Sequence, residues 1–264
     1  MSTPDLNAPV CLMFLGRRHP SLSREEFSQR WKSEFGSLVK KNMKGLNAIR
    51  YEQWHYVNSS NSPKKIRNMS VDPKDEYDFV DMLWYKNSQS GNGDFDDSEM
   101  LKVEKNLLDL KRCSVMIAQP RHRFSAESFS TLSKLSKPGL RVVFPLKRKQ
   151  DPNISSDAAF YHRWRHIHGP LVDSVAPHYG GQRYEQMHRI YTPTKMMKKR
   201  GITEVFDGYA IAWSDDSKIK DINNARKAVN TLLADEQQFL DLPGSNYFMA
   251  ECQFECGELE RSKL

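Results

Sequence analysis

The sequence predicts an α+β fold made of one unit used twice, on three observations. A 13-residue stretch recurs at a fixed offset, a second motif recurs in the same register, and each copy reads as the same series of short strands and amphipathic helices. The stretches "FSQRWKSEFGSLV" (27–39) and "FYHRWRHIHGPLV" (160–172) agree at six of thirteen positions, 133 residues apart. At the same offset "RYEQWH" (50–55) meets "RYEQMH" (183–188), with five of six residues identical. Further on, "YDFVDMLW" (77–84) faces "FDGYAIAW" (206–213), and "LDL" at 108–110 faces "LDL" at 240–242. Unrelated segments would agree at about one position in fifteen. The chain is a tandem duplication.

Taken in order, "VCLMFL" (10–15) and "LRVVFPL" (140–146) are short apolar runs suited to buried strands. Ser23 and Ser156 stand just before helical patterns as N-caps, with Glu26 in capping-box spacing from Ser23. Phe160, Trp164, Ile167, His168 and Leu171 then share one helical face. Gly36 and Gly169 are placed to end the helix, and Pro170 discourages its continuation. "RYEQMH" is a second strand with Tyr184, Gln186 and His188 on one face, and "DGYAIAW" a third. Residues 221–240 make a second helix and "YFMAECQF" (247–254) a last strand. That order is the ferredoxin-like βαββαβ motif, whose sheet carries helices on one face only. Two fused units would cover each other's bare face as an intramolecular, pseudo-dimeric α+β barrel. The serine-rich "RHRFSAESFSTLSKLSKPG" separates them. The expected division is an N-terminal unit over 1–122, a linker over 123–139 and a C-terminal unit over 140–264.

Composition narrows the function. Among the 264 residues, 13 Phe, 10 Tyr and 5 Trp provide a bulky core despite 38% hydrophobic content. No run approaches the roughly 20 apolar residues of a bilayer span, and "MSTPDLNAPV" lacks the features of a secretory signal. Four cysteines are too sparse for a disulfide scaffold, and "CQFEC" lacks the second pair of a zinc site. A cytoplasmic protein without nucleic-acid or membrane partners is expected, as a monomer or homodimer. The net charge of +7 gathers partly in "PKKIR" (63–67) and "KMMKKR" (195–200), which read as loops with no nucleic-acid motif. They could draw in a small anion. No P-loop, GxGxxG or nucleophile elbow is present.

At "FYHRWRHIHGPLV", "RYEQMH" and "DGYAIAW" the chain resembles the EthD domain family of the dimeric α+β barrel superfamily, once per half. The second half follows the family pattern and the first has drifted, with Phe35 for His168 and Ser37 for Pro170. The resemblance implies small-molecule chemistry. Relatives include cofactor-free polyketide decarboxylases, cyclases, dehydratases, isomerases and quinone-forming monooxygenases; others bind haem. Many members carry an acidic residue in the third strand. Here Met82 and Ile211 are expected at that position, with Asp81 one residue away.

The candidate site lies in the second half. His168 either closes the helix end by hydrogen bonding or moves protons in a cavity between helix and sheet. Tyr184, Gln186 and His188 either orient substrate oxygens or form a polar ladder along the seam. Catalytic roles are expected for His168, His188 and Tyr184, and substrate contacts for Gln186, Trp164, Tyr209 and Trp213; the tryptophans also suit a plain core. His162 and His166, four residues apart, flank arginines on the polar side without the glutamate of a zinc helix, so no metal is expected. The long connections 56–76 and 189–205 have the length of lids or binding loops. The expected activity is a cofactor-independent reaction of a polyketide-like or phenolic molecule through an enol or enolate: decarboxylation, dehydration, cyclisation or isomerisation. A cofactor-free oxygenase and a non-catalytic binding or scaffold protein are the alternatives.

Overall fold

The computed structural model describes residues 5–57, 76–90, 98–125 and 141–257. Its centre is a closed antiparallel barrel of eight strands: β1 (Val10–Gly16), β2 (Arg50–Tyr56), β3 (Phe79–Tyr85), β4 (Ser114–Ser125), β5 (Arg141–Leu146), β6 (Gly181–Tyr191), β7 (Gly208–Ser214) and β8 (Phe248–Gly257). Around the barrel they run β1-β3-β2-β8-β5-β7-β6-β4. The first four strands thus lie in the order β4-β1-β3-β2 and the last four in the order β8-β5-β7-β6. β2 pairs with β8 and β4 with β6 to close the ring.

The apolar runs of β1 and β3 are continuous because both faces of the sheet are buried. Cys11, Met13, Leu15, Val80, Met82 and Met116 point into the barrel with Tyr209, Ile211 and Trp213. An eight-stranded barrel is just wide enough for such side chains to fill it. Leu12, Phe14, Tyr51 and Leu83 point outwards under one helical layer, and Phe144, Tyr184 and Ala210 under another. The sheet therefore separates three cores.

Each outer layer has a helix interrupted by a π turn at the repeated tryptophan. In front, α1 (Arg24–Arg30), a π turn at Trp31–Gly36 and α2 (Ser37–Asn42) run on without a break. Behind, α4 (Asp157–Arg163), a π turn at Trp164–His168 and α5 (Gly169–Val175) do the same. Ser23 and Ser156 cap as the sequence indicates, accepting from the amides of Glu26 and Ala159. Gly36 and Gly169 do not end the helix. A Cβ at Gly169 would lie 2.9 Å from the His122 ring of β4, so glycine there permits close packing onto the sheet. Pro170 is tolerated because it stands just after the π turn, where the regular helical bonding is already interrupted and the Gly169 amide reaches the Trp164 carbonyl.

The remaining helices are α3 (Ser98–Leu107), α6 (Thr194–Arg200) and α7 (Ile222–Glu236). α7 stops before residue 240, and the chain turns through Phe239 to return to β8. Two connections differ from their sequence reading. Residues 121–125 of the serine-rich stretch belong to β4 and pair with β6, while 126–140 lie outside the described residues. Residues 189–205 contain the end of β6 and α6, and Met196 and Met197 pack on the front core. Arg200 makes a buried two-pronged ion pair with Glu104 of α3, at 2.5 and 2.9 Å. This connection is thus a strap from the second half across the first. Most of 56–76 lies outside the described residues.

Candidate active site

The π turn explains why a glutamine follows each repeated tryptophan at a distance. Inserting one residue into a helical turn alters the carbonyl pattern there. The Trp164 carbonyl, besides its bond from the Gly169 amide, accepts from Gln186 Nε2 of β6 at 2.8 Å. In front, the Trp31 carbonyl accepts from Gln53 Nε2 of β2 at 3.2 Å. Each glutamine pegs its helix to the sheet, and this is a packing reason for the duplication.

Behind that peg lies a buried polar row. Trp164 Nε1 donates to the Tyr184 hydroxyl at 3.2 Å, and Gln186 Nε2 lies 3.4 Å from the same oxygen. His188 Nε2 is 3.0 Å from Gln186 Oε1, which can only accept, so the proton sits on Nε2. His188 Nδ1 then carries a lone pair and is buried without a hydrogen-bond partner. The ring stacks on Trp164 (centroids 4.4 Å apart, 14° between planes) and on Tyr161 (4.9 Å, 26°), which lie side by side with their centroids 6.5 Å apart. Burial, with the positive field of Arg121 and Arg165, holds the His188 pKa well below the ordinary imidazole value, so it is a neutral base at physiological pH. Gly208 is the complement of this arrangement. A Cβ there would lie 2.5 Å from the Trp164 indole, which accounts for the glycine of "DG".

His168 faces another way. Its Nδ1 lies 2.9 Å from Asp235 Oδ2 and its Nε2 3.7 Å from Glu236 Oε1, both at the C-terminal end of α7. Phe239 and Tyr184 pack around the ring, at 5.3 and 6.3 Å between centroids. Burial would raise the Asp235 pKa, but His168 and Arg163 hold it below the usual carboxylate value. The geometry is an aspartate–histidine pair that ties the π turn to α7.

Of the expected site residues, the structure brings together Trp164, Tyr184, Gln186 and His188, with His168 at their margin. It does not bring Tyr209 and Trp213 to them, because these point into the barrel from the opposite face of β7. His162 and His166 are exposed with rings 5.0 Å apart, and no group of three metal-ligating side chains occurs among the described residues.

Two features escaped the sequence reading. Asp81, not Met82, faces the helix layer, because it pairs with Gln53 across β2 and β3. It accepts from Tyr51 at 2.6 Å and from Trp31 Nε1 at 3.1 Å. Burial nonetheless pushes its carboxyl well above the ordinary range, against the two hydrogen bonds that favour the ionised form. The rear position paired with Gln186 is Ala210. An inside–outside count along β3 from Val80 would have found Asp81. The second feature is the aspartate of "YD" and "FD". Asp78 binds Arg18 at 2.5 Å and Arg24 at 3.0 Å, and Asp207 binds Arg148 at 2.6 Å and Arg189 at 2.9 Å. These hubs fix the start of β3 and β7 in the two halves.

Comparison with known proteins agrees with this geometry. Residues 154–243 match the family model of the EthD domain. The chain superposes on the crystal structure of an anthrone oxidase-like protein with a TM-score of 0.58, 9% identity, and coverage of 96% of this chain and 94% of that one. A protein of Fusobacterium nucleatum assigned as a candidate monooxygenase gives a TM-score of 0.52 and 7% identity, with 95% of each chain covered. At such identities the likeness is one of fold alone. Curated protein sequences gave no significant match. The tryptophan, glutamine and histidine positions of the second half thus fall within the stretch that matches the EthD domain model, on a chain whose described residues form a closed eight-stranded α+β barrel.

Proposed function

We propose that the chain is an enzyme acting, without a resident cofactor, on a phenolic or polyketide-like small molecule at the buried polar row between α4–α5 and β6. The observation that carries this reading is His188, a buried neutral imidazole with Nε2–H committed to Gln186 and Nδ1 left as an acceptor. Its Nδ1 is the acceptor for a proton next to a carbonyl or on a phenol; the lowered pKa makes it a weak base, so the step depends on donors that meet the oxyanion formed. Within this reading Tyr184, Trp164 and Gln186 shape the oxygen-binding side of the site. His168 takes a positioning role through Asp235, and Tyr209 and Trp213 stiffen the barrel beneath. The product of proton removal is an enolate, the common intermediate of decarboxylation, dehydration, cyclisation and isomerisation. His168 offers no free nitrogen to a haem iron, since both of its nitrogens face carboxylates.

The architecture belongs to the same proposal. The repeated β-α-β-β-α-β order, the two π turns and the two arginine–aspartate hubs support two fused ferredoxin-like units over 1–122 and 140–264, closed as a pseudo-dimer.

Deuterium uptake at the carbon flanked by the carbonyls of an aromatic 1,3-diketone, followed by NMR in D2O, tests the proposal. The wild type should accelerate exchange, and His188→Phe, which keeps the ring stack, should lower it about a hundredfold or more. A folded variant with wild-type exchange removes the assignment. The fold of the anthrone oxidase-like protein favours a second reading, in which the same base generates a carbanion that meets dioxygen. Oxygen consumption with an anthrone separates the two.

A further inference from the structure

The two halves use the same glutamine–histidine pair differently. Behind, His188 and Gln186 satisfy each other at 3.0 Å. In front, Gln53 and His55 have the same strand spacing, yet Gln53 Oε1 and His55 Nε2 are both buried without any hydrogen-bond partner. Gln53 is fully buried and His55 is 2% exposed. Their other atoms are already committed. Gln53 Nε2 reaches the Trp31 carbonyl at 3.2 Å and the Tyr51 hydroxyl at 2.9 Å, and His55 Nδ1 lies 2.6 Å from Ser28 Oγ.

An orphaned acceptor and an orphaned imidazole nitrogen thus stand two residues apart on one face of β2. Each such atom loses its water without replacement if nothing meets it, and native interiors seldom leave two together. A single hydroxyl satisfies both. With the Ser28 hydroxyl donating to Nδ1, His55 Nε2–H donates to the incoming oxygen, and that O–H donates to Gln53 Oε1. The surroundings are mainly aromatic, with the Lys32 ammonium near enough to act on His55. The Phe27 ring is centred 6.1 Å from His55 and 5.5 Å from Phe79. Asp81, opposite Gln53, is already bonded to Tyr51 and Trp31.

We propose that the front half holds a second small-molecule site, between α1 and β2, that takes the hydroxyl of a neutral, largely apolar ligand such as a phenol or enol. It stands independently of the rear-site reading, since it uses none of those residues.

Phenol and toluene, equal in size and differing in the hydroxyl, are the probes. Binding is followed on the indole N–H resonances of Trp31, which reports the front, and Trp164, which reports the rear, together with a phenol-soaked crystal. We expect phenol oxygen between Gln53 and His55, and toluene at least tenfold weaker on the Trp31 signal. That preference should vanish in Gln53→Met and His55→Phe and persist in His188→Phe. Equal affinities for the two probes, or only a water between Gln53 and His55 at saturating phenol, would overturn the proposal. So would a preference that survives Gln53→Met. If neither front variant folds, the wild-type probe comparison and the soak decide alone. Wild-type exchange in a folded His188→Phe, with the Trp31 response intact, would remove the rear-site assignment and leave this one standing.

Discussion

Replacing Arg200 with methionine would leave Glu104 without the guanidinium that the structure gives it. The carboxylate is fully buried, the arginine side chain is 1% exposed, and the pair is bidentate. Burial outweighs the attraction of Arg200 and raises the Glu104 pKa, so this pair is dear to desolvate in the first place. Removing one partner from a buried pair costs about 3–5 kcal/mol, whereas replacing both by apolar residues of similar volume is often neutral or favourable. For a chain of this size about 1 kcal/mol moves Tm by roughly 2–4 °C, so Arg200→Met should lower it by about 6–20 °C. The double variant Glu104→Leu/Arg200→Met should recover most of that loss. Thermal unfolding by circular dichroism, with urea titration for the free energies, reads both. A single variant within about 1 kcal/mol of wild type, or a double variant no better than the single, refutes the reasoning. The first outcome would mean that α6 does not depend on this pair to hold its place across the front core.

Other expectations follow from the same coordinates. Burial lowers the His55 pKa to about 4 from an ordinary 6.5, so the unfolded chain binds more protons between those values. Stability from this group is complete above pH 6.5 and is lost as pH falls towards 4, by about 3 kcal/mol at 1.36 kcal/mol per unit. Asp81, with its raised pKa, acts in the opposite sense, so the measurement is the difference in pH slope between wild type and His55→Gln; equal slopes would contradict it. Gly208→Ala places a methyl 2.5 Å from Trp164 and 2.6 Å from the Met187 carbonyl and should cost about 1–3 kcal/mol by overpacking, read as a fall in Tm. His168→Gln frees Asp235 from its partner and should reduce exchange less than His188→Phe; the reverse order would return the proton-transfer role to His168.

The repeat, the strand order and the caps were legible because they rest on local chemistry. A serine before a helical pattern, alternation along a strand and an apolar run each act within a few residues. The same reasoning singled out Trp164, Tyr184, Gln186 and His188, since residues two apart on a strand share a face. It set the acidic third-strand position of the family pattern at Met82 and Ile211, with Asp81 one residue away, because residue order alone does not say which face a position takes. Cross-strand pairing of Gln53 with Asp81 decides that.

By itself, then, the sequence determined an α+β alternation of short strands and helices and which tryptophan, glutamine and histidine recur in it at a fixed offset. Only the tertiary structure decided that His168 answers to Asp235, that α6 crosses to the other half, and that the matching glutamine–histidine pairs are closed behind and open in front. The reason is that hydrogen bonds between buried side chains depend on separations of tenths of an ångström between elements far apart in the chain, and residue order does not encode those separations locally.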